Sequence, residues 1–173
     1  MGRIAPAVLV PAFTALMALG ARLEVPMVPV PMTMQTFAVL LAGAALGPVW
    51  GTASVLLYLA LALLGLPLLA DGAAGLGPFS GPTAGYLATF PVAAALAGLA
   101  GVRGGLDGTW RATGLLFGLH LMILTLGGLW LAKSLGLSAA IASGFAPFLV
   151  GAGAKSLLAA LAAPPLRSRL SAN

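Results

Sequence analysis

Residues 36–66 read TFAVLLAGAALGPVWGTASVLLYLALALLGL, from Thr36 to Leu66 without one charged side chain. Such a stretch has no face to turn to water and belongs in the hydrocarbon of a bilayer. The rest of the chain agrees: 61% of the 173 residues are hydrophobic and 6% are charged, where a soluble domain devotes roughly a quarter to charge. The chain therefore reads as an all-α integral membrane protein, and its few polar exceptions mark topology or chemistry.

A helix crossing the hydrocarbon core takes about 20 apolar residues. Cut at its Gly, Pro and charged interruptions, the chain yields six segments: Ile4 to Ala21, Thr36 to Leu46, Val49 to Leu66, Pro82 to Gly101, Trp110 to Leu131 and Ser138 to Ala163. The second is short, and Gly47-Pro48 is a helix stop followed by a restart at Val49, which predicts a tight turn near one face. Arg3 precedes an apolar run as in a signal peptide, but no polar mature domain follows, so Met1 to Ala21 is expected to be the first span. Residues 1–173 are expected to form a single six-helix membrane domain without internal repeats. Gly43, Gly47 and Gly51, and again Gly114 and Gly118, recur at four-residue spacing, a pattern that lets helix backbones approach closely.

Lys and Arg are retained on the cytoplasmic side of a membrane. With the N-terminus inside, the inner loops and tails hold five, Arg3, Arg103, Arg111, Arg167 and Arg169, and the outer loops hold two, Arg22 and Lys133. Both termini are thus expected to be cytoplasmic. Glu24 and Asp71 then lie outside and Asp107 inside. A net charge of +5 spread over separate loops makes no basic stripe, so nucleic acid is not an expected partner. With no Cys and only His120, thiolate and His-cluster metal sites are not expected either.

Polar atoms concentrate in a few places. Residues 25–36, from Val25 to Thr36, carry Pro26, Pro29 and Pro31 and then Thr33, Gln35 and Thr36 amid methionines. Proline enforces an extended path, and non-helical backbone at membrane depth is tolerated only against protein or a water-filled cavity; a stiff surface loop would leave the apolar Val and Met between the prolines unexplained. The second island, Leu66 to Tyr86, is glycine-rich and almost uncharged. Its backbone groups suit close approach to a flat neutral ligand, and Pro82 can start a helix that carries Thr83, Tyr86 and Thr89 near its outer end; an ordinary external loop is the plainer alternative.

Lys155 is the third anomaly. An ionisable group in mid-span costs about 2.5 to 3.5 kcal/mol on insertion scales, so it either faces the bundle interior or snorkels to the inner interface. Counted from Ser138 it lies beyond the bilayer middle unless the chain around Gly144 to Pro147 is bent or partly unwound. An inward lysine with no acidic partner in any span calls for an anionic ligand. Val150 to Ser156 has a superficial likeness to a phosphate-binding loop, but Ala154 and Leu149 stand where that pattern needs glycine, so the chain is not expected to bind ATP itself. His120, in mid-span without a carboxylate nearby, reads as a neutral hydrogen bonder between helices. An intramembrane Ser-His hydrolase would need a serine set against it, and no Gly-x-Ser-x-Gly surrounds any serine.

These residues carry a resemblance. Val30-Pro31-Met32-Thr33-Met34-Gln35-Thr36, Leu40-Leu41-Ala42-Gly43-Ala44-Ala45-Leu46-Gly47-Pro48, Leu66-Pro67 with Gly81-Pro82-Thr83-Ala84-Gly85-Tyr86-Leu87, and Pro147-Phe148-Leu149 leading to Lys155 occur in an order and spacing that resembles the biotin-specific S components of energy-coupling factor transporters, the BioY family, over nearly the whole chain. The resemblance implies six helices around an external biotin pocket, capped by the loops after the first helix and before the fourth. It implies a multi-pass protein of the cell inner (plasma) membrane that binds no cofactor. Its partner would be a coupling module of one transmembrane protein and two ATPases, which bind the ATP and reorient the loaded subunit. It assigns ligand recognition to Lys155, with Gln35, Gly85 and Tyr86 from the two capping motifs. Ala152 stands where the family usually has an acidic residue, which leaves Asp71 or Gln35 to accept the ureido N–H groups of biotin. The first helix carries Ala12, Ala15, Ala18 and Ala21 at three-residue spacing where S components show alanine at four-residue spacing for docking.

The expected function is capture of biotin by a membrane subunit that is not an enzyme, through an apolar pocket, Thr33 and Gln35 in the first loop, and Lys155 on the carboxylate. The alternatives are an S component for another small vitamin, a membrane scaffold subunit, and, more distantly, an intramembrane enzyme built on His120.

Overall fold

Gly47 reverses the chain. A computed structural model describes residues 5–171, and in it helix α2 (Gln35–Leu63) is interrupted at Gly47, whose φ of 82° and ψ of 178° are not helical. Glycine reaches that conformation without a Cβ clash, and Pro48 behind it has no N–H with which to continue the ladder. The arms 35–46 and 48–63 fold back on one another: a Cβ on Gly51 would lie 2.6 Å from the Cα of Gly43, whereas eight residues along a straight helix span about 12 Å. The tight turn expected at Gly47-Pro48 is present.

Around this hairpin stand α1 (Pro6–Arg22), α4 (Ala84–Val102), α5 (Thr109–Leu135), α6 (Leu137–Gly144) and α7 (Phe148–Ser171). α2 packs on α1, α4 and α7, α4 on α5, and α5 on α7. The α2–α4 seam is closed by glycine: a methyl on Gly43 would overlap the carbonyl of Ala94, and one on Gly98 the backbone of Gly47 and Pro48. Among the described residues, α2, α4, α5 and α7 are long and apolar enough to cross a membrane, and α1 is a shorter apolar helix. Large apolar side chains also cover the outside, where Leu19, Leu56, Val92, Leu129 and Leu158 are exposed. That surface suits lipid and not water.

Three sequence expectations are corrected. The last segment, expected as one span from Ser138 to Ala163, is two helices, because Phe145 leaves the helical region (φ −127°, ψ −64°) and Pro147 has no N–H to donate across residues 145–147. The fourth helix begins at Ala84 and not at Pro82. Gly114 and Gly118 form no seam: a Cβ on either meets nothing within 4 Å among the described residues. Arg3 and Ile4, expected at the start of the chain's first span and inner face, lie outside the described residues.

The two polar islands lie at one end of the bundle. The first forms a short antiparallel pair, β1 (Glu24–Val25) and β2 (Met32–Thr33), with Glu24 opposite Thr33 and Val25 opposite Met32. The second forms a 3-10 turn (Ala70–Gly72) and the one-turn helix α3 (Gly77–Ser80). They are tied together and to the bundle. The Arg22 guanidinium donates to the Pro67 carbonyl at 2.6 Å, the Asp71 N–H donates to Glu24 Oε2 at 3.1 Å, and Trp130 Nε1–H donates to the Gly81 carbonyl at 2.9 Å. Lys133 lies over the Trp130 ring at this same end. At the opposite end Arg167 approaches Gly101 and shares a cleft with Asp107.

Candidate functional site

Extended backbone next to a helix start leaves side chains pointing inward from both islands, and they meet over a cavity of about 210 Å³ between α2, α4, α5 and α7. Ligand pockets for drug-sized molecules run from about 300 to 1,000 Å³, so this one suits a ligand at or below the small end of that range. Its walls are largely apolar, with Val30, Leu69, Leu87, Phe90, Ile123, Leu124 and Phe148, and polar groups are spaced among them.

Thr33, Gln35, Asp71, Tyr86 and Lys155, five of the six residues singled out in the sequence, line this cavity together. Gly85 does not. A methyl there would overlap Trp130 Cβ and lie 3.2 Å from the Cα of Gly127, so Gly85 serves the crossing of α4 and α5. The neighbouring Gly127 admits the Tyr86 ring in the same way.

The polar groups differ in how far they are already committed. Gln35 Nε2–H donates to the Tyr58 hydroxyl at 2.6 Å, and that hydroxyl donates to the Leu68 carbonyl at 3.0 Å. The Thr33 hydroxyl donates to Gln35 Oε1 at 3.3 Å, while Gln35 N–H donates to Thr33 Oγ1 at 3.2 Å. This chain runs from the first island through α2 to the second. Gln35 thus holds the cavity roof together and keeps part of its hydrogen-bonding capacity for a ligand. Tyr86 spends its hydroxyl on the Gly144 carbonyl at 2.7 Å, which satisfies the end of α6 where the helix breaks. Tyr86 thus lines the cavity with its hydroxyl already committed. Asp71, at φ 54°, is exposed at the rim.

Gln35→Leu is expected to lower the stability of the ligand-free protein by about 1 to 3 kcal/mol, because it strips two partners from buried polar groups. Thermal melting followed by circular dichroism in detergent checks this; an unchanged melting temperature would show that the roof does not depend on the chain.

Lys155 is buried, 8% exposed, and its side chain lines the cavity. Among the described residues no carboxylate or hydrogen-bond acceptor engages its ammonium. The break before α7 explains its position: Lys155 is only two turns into a helix that starts at the island end, so it does not reach the far end of the bundle as a snorkelling residue would. Its stem runs back toward that start, with Cε 3.9 Å from the point where a Gly151 Cβ would stand and Met32 Sδ 2.8 Å from the same point.

Sequence reasoning passed over two further cavity residues. Thr36 Oγ1 is buried without a hydrogen-bond partner. His120 was legible as a hydrogen bonder between helices, and its Nδ1 does meet Ser156 Oγ on α7 at 2.8 Å; the cavity beside it could not be seen from spacing. Ser156 completes the Ser-His pair that a hydrolase would need, but it is 0% exposed, does not line the cavity and donates its hydroxyl to the Ala152 carbonyl at 2.7 Å. No nucleophile faces a substrate there.

Comparison with known proteins gives a consistent result. Residues 2–172 match the model of the BioY family. The chain is 42% identical over 142 residues to a probable biotin transporter BioY of Pyrococcus horikoshii, covering 82% of this chain and 83% of that one. It is 39% identical over 117 residues to the biotin transporter BioY of Rhodobacter capsulatus, covering 62% and 59%. A 2.1 Å crystal structure of the S-component for biotin from an ECF-type ABC transporter superposes with a TM-score of 0.77 at 27% identity, over 97% of this chain and 91% of that chain. These relatives are named as transporters and not as enzymes. With its hairpin helix, its island-capped cavity and a family match over nearly its full length, the chain belongs to the BioY family.

Proposed function

We propose that this protein is the biotin-binding S component of an energy-coupling factor transporter. The observation that carries the reading is Lys155: a cation without a carboxylate partner among the described residues, set in the wall of a small and largely apolar cavity. A bicyclic ring and an aliphatic chain would fill the apolar volume, and the ligand carboxylate would neutralise the ammonium. The biotin transporters and the biotin S-component to which the chain is similar support the same ligand. Capture needs no chemistry on the ligand. Transport follows if a coupling module that hydrolyses ATP, one membrane protein with two ATPases, shifts the loaded subunit between two orientations.

The arrangement in the plasma membrane is proposed as six crossings, with α1, the two arms of α2, α4, α5 and the α6–α7 pair each crossing, and with both termini cytoplasmic. The charge distribution supports it. Arg22 and Lys133 lie at the island end, and Arg103, Arg111 and Arg167 belong to the connections and tail of the other. Single cysteines beside Asp71 and Arg103 in intact cells are expected to react with an impermeant reagent only at Asp71. The reverse pattern would put the cavity on the wrong side for uptake.

Ligand identity is tested by purifying the protein from cells grown on mixed vitamins, denaturing it and analysing what is released by mass spectrometry. Biotin at about one molecule per chain is the expected result. A different vitamin would redirect the specificity, and no small molecule at all would favour a scaffold subunit.

A further inference from the structure

Three polar atoms of cavity-lining residues are uncommitted: Lys155 Nζ, and Thr36 Oγ1 and His120 Nε2, which are themselves buried. The last is the most constrained. His120 is 2% exposed, and both contacts of its ring are made by Nδ1, with the Leu116 carbonyl at 3.2 Å and Ser156 Oγ at 2.8 Å. A carbonyl can only accept, so Nδ1 carries the proton. Ser156 agrees, because its single hydroxyl hydrogen goes to the Ala152 carbonyl and leaves Oγ to accept from Nδ1–H. In the neutral ring the other nitrogen then has a bare lone pair. Nε2 is therefore an acceptor, buried without a hydrogen-bond partner, in a residue that lines the cavity. A buried acceptor left unpaired is destabilising, and a ligand donor removes that cost.

We infer that His120 Nε2 accepts a hydrogen bond from a ligand N–H, with Ser156 as the positioning residue that fixes the tautomer. The inference rests on the biotin reading, in which the donor is one ureido N–H. The geometry gives the ligand a direction. His120 sits at the level of Ser156, while the Lys155 stem runs toward Gly151, about one helical turn (roughly 5 Å) nearer the island end. The ureido ring therefore lies at the floor against His120 and the chain points up toward Lys155 and the two islands. The ligand class recognised is a neutral cyclic urea or amide carrying an anionic tail.

The test is a binding cycle between two proteins and three ligands, in detergent. The unaltered protein and His120→Phe are titrated with biotin and with the two biotins singly methylated on a ureido nitrogen. His120→Phe is expected to lose about 10-fold for biotin, equivalent to about 1.4 kcal/mol. One of the two methylations is expected to cost the unaltered protein about as much and to cost His120→Phe almost nothing further. Equal affinities of the two proteins for biotin, or the same methylation costs in both, overturn the inference while leaving the biotin reading intact. Failure of the unaltered protein to bind biotin overturns both. A second measurement needs no variant: the ¹⁵N spectrum of the labelled imidazole is expected to show Nδ1 protonated and Nε2 unprotonated, with the Nε2 resonance moving when biotin is added. A proton on Nε2, or a resonance that does not move, contradicts the assignment.

Discussion

Lys155→Met is expected to weaken biotin binding by about 30-fold to several thousand-fold, corresponding to the roughly 2 to 5 kcal/mol typical of breaking a desolvated charge pair. Methionine keeps the apolar stem and removes only the charge. The ammonium has no carboxylate partner among the described residues, and on the proposed function the ligand's own carboxylate would be its partner. The loss should shrink sharply for an uncharged biotin amide, which the parent already binds without that pair. Equal losses for acid and amide would mean that Lys155 acts through packing against Met32 and Gly151 and not through charge. Folding is not expected to suffer, since burying an unpaired ammonium costs stability that methionine does not.

Gly43→Ala is expected to be the most damaging single methyl in the protein. The added Cβ overlaps the Ala94 carbonyl, and backbone on both sides leaves nothing to rotate away. Overpacking of this kind costs about 1 to 3 kcal/mol and occasionally more, here at the junction that holds the α2 hairpin against α4. Gly98→Ala tests the same seam from the other side, against Gly47 and Pro48. Gly114→Ala and Gly118→Ala are the matched controls: they carry the same spacing but meet open space, and are expected to be neutral or to gain up to about 1 kcal/mol from helix propensity. Monodisperse yield and thermal melting in detergent separate the pairs. If Gly43→Ala folds as well as Gly114→Ala, the seam does not hold the hairpin.

The contrast between these glycines shows where sequence reading stops. A glycine is informative where a neighbour narrows its role, as Pro48 does for Gly47, and the reversal of α2 was legible for that reason. Spacing alone does not say what lies opposite. Gly43 and Gly51 face backbone, Gly114 and Gly118 face nothing among the described residues, and Gly85 admits a tryptophan and not a ligand, yet all are the same request for a missing Cβ. Charge and hydrogen-bonding capacity are more legible, because a polar atom in a span must be answered by something. Lys155 is legible on that ground, and Thr33, Gln35, Asp71 and Tyr86 from the two polar islands and the family resemblance; the five share one cavity. What answers each atom is set by packing across helices. The Ser156 partner of His120 lies 36 residues away, and the Tyr86 hydroxyl meets a carbonyl 58 residues away that is exposed only because α6 ends there. The same break decides the depth of Lys155. Counted from Ser138 without a bend, the lysine falls beyond the bilayer middle; the chain does break between Gly144 and Phe148, and with α7 starting there it falls beside the islands.

The most direct test of the account is an equilibrium titration of the purified protein, stripped of ligand in detergent, with biotin. The predicted result is saturable binding at one site per chain that a large excess of an unrelated vitamin does not displace. Absence of saturable binding by protein whose folded state is verified by its thermal melt would contradict the assignment of the Lys155 cavity to biotin.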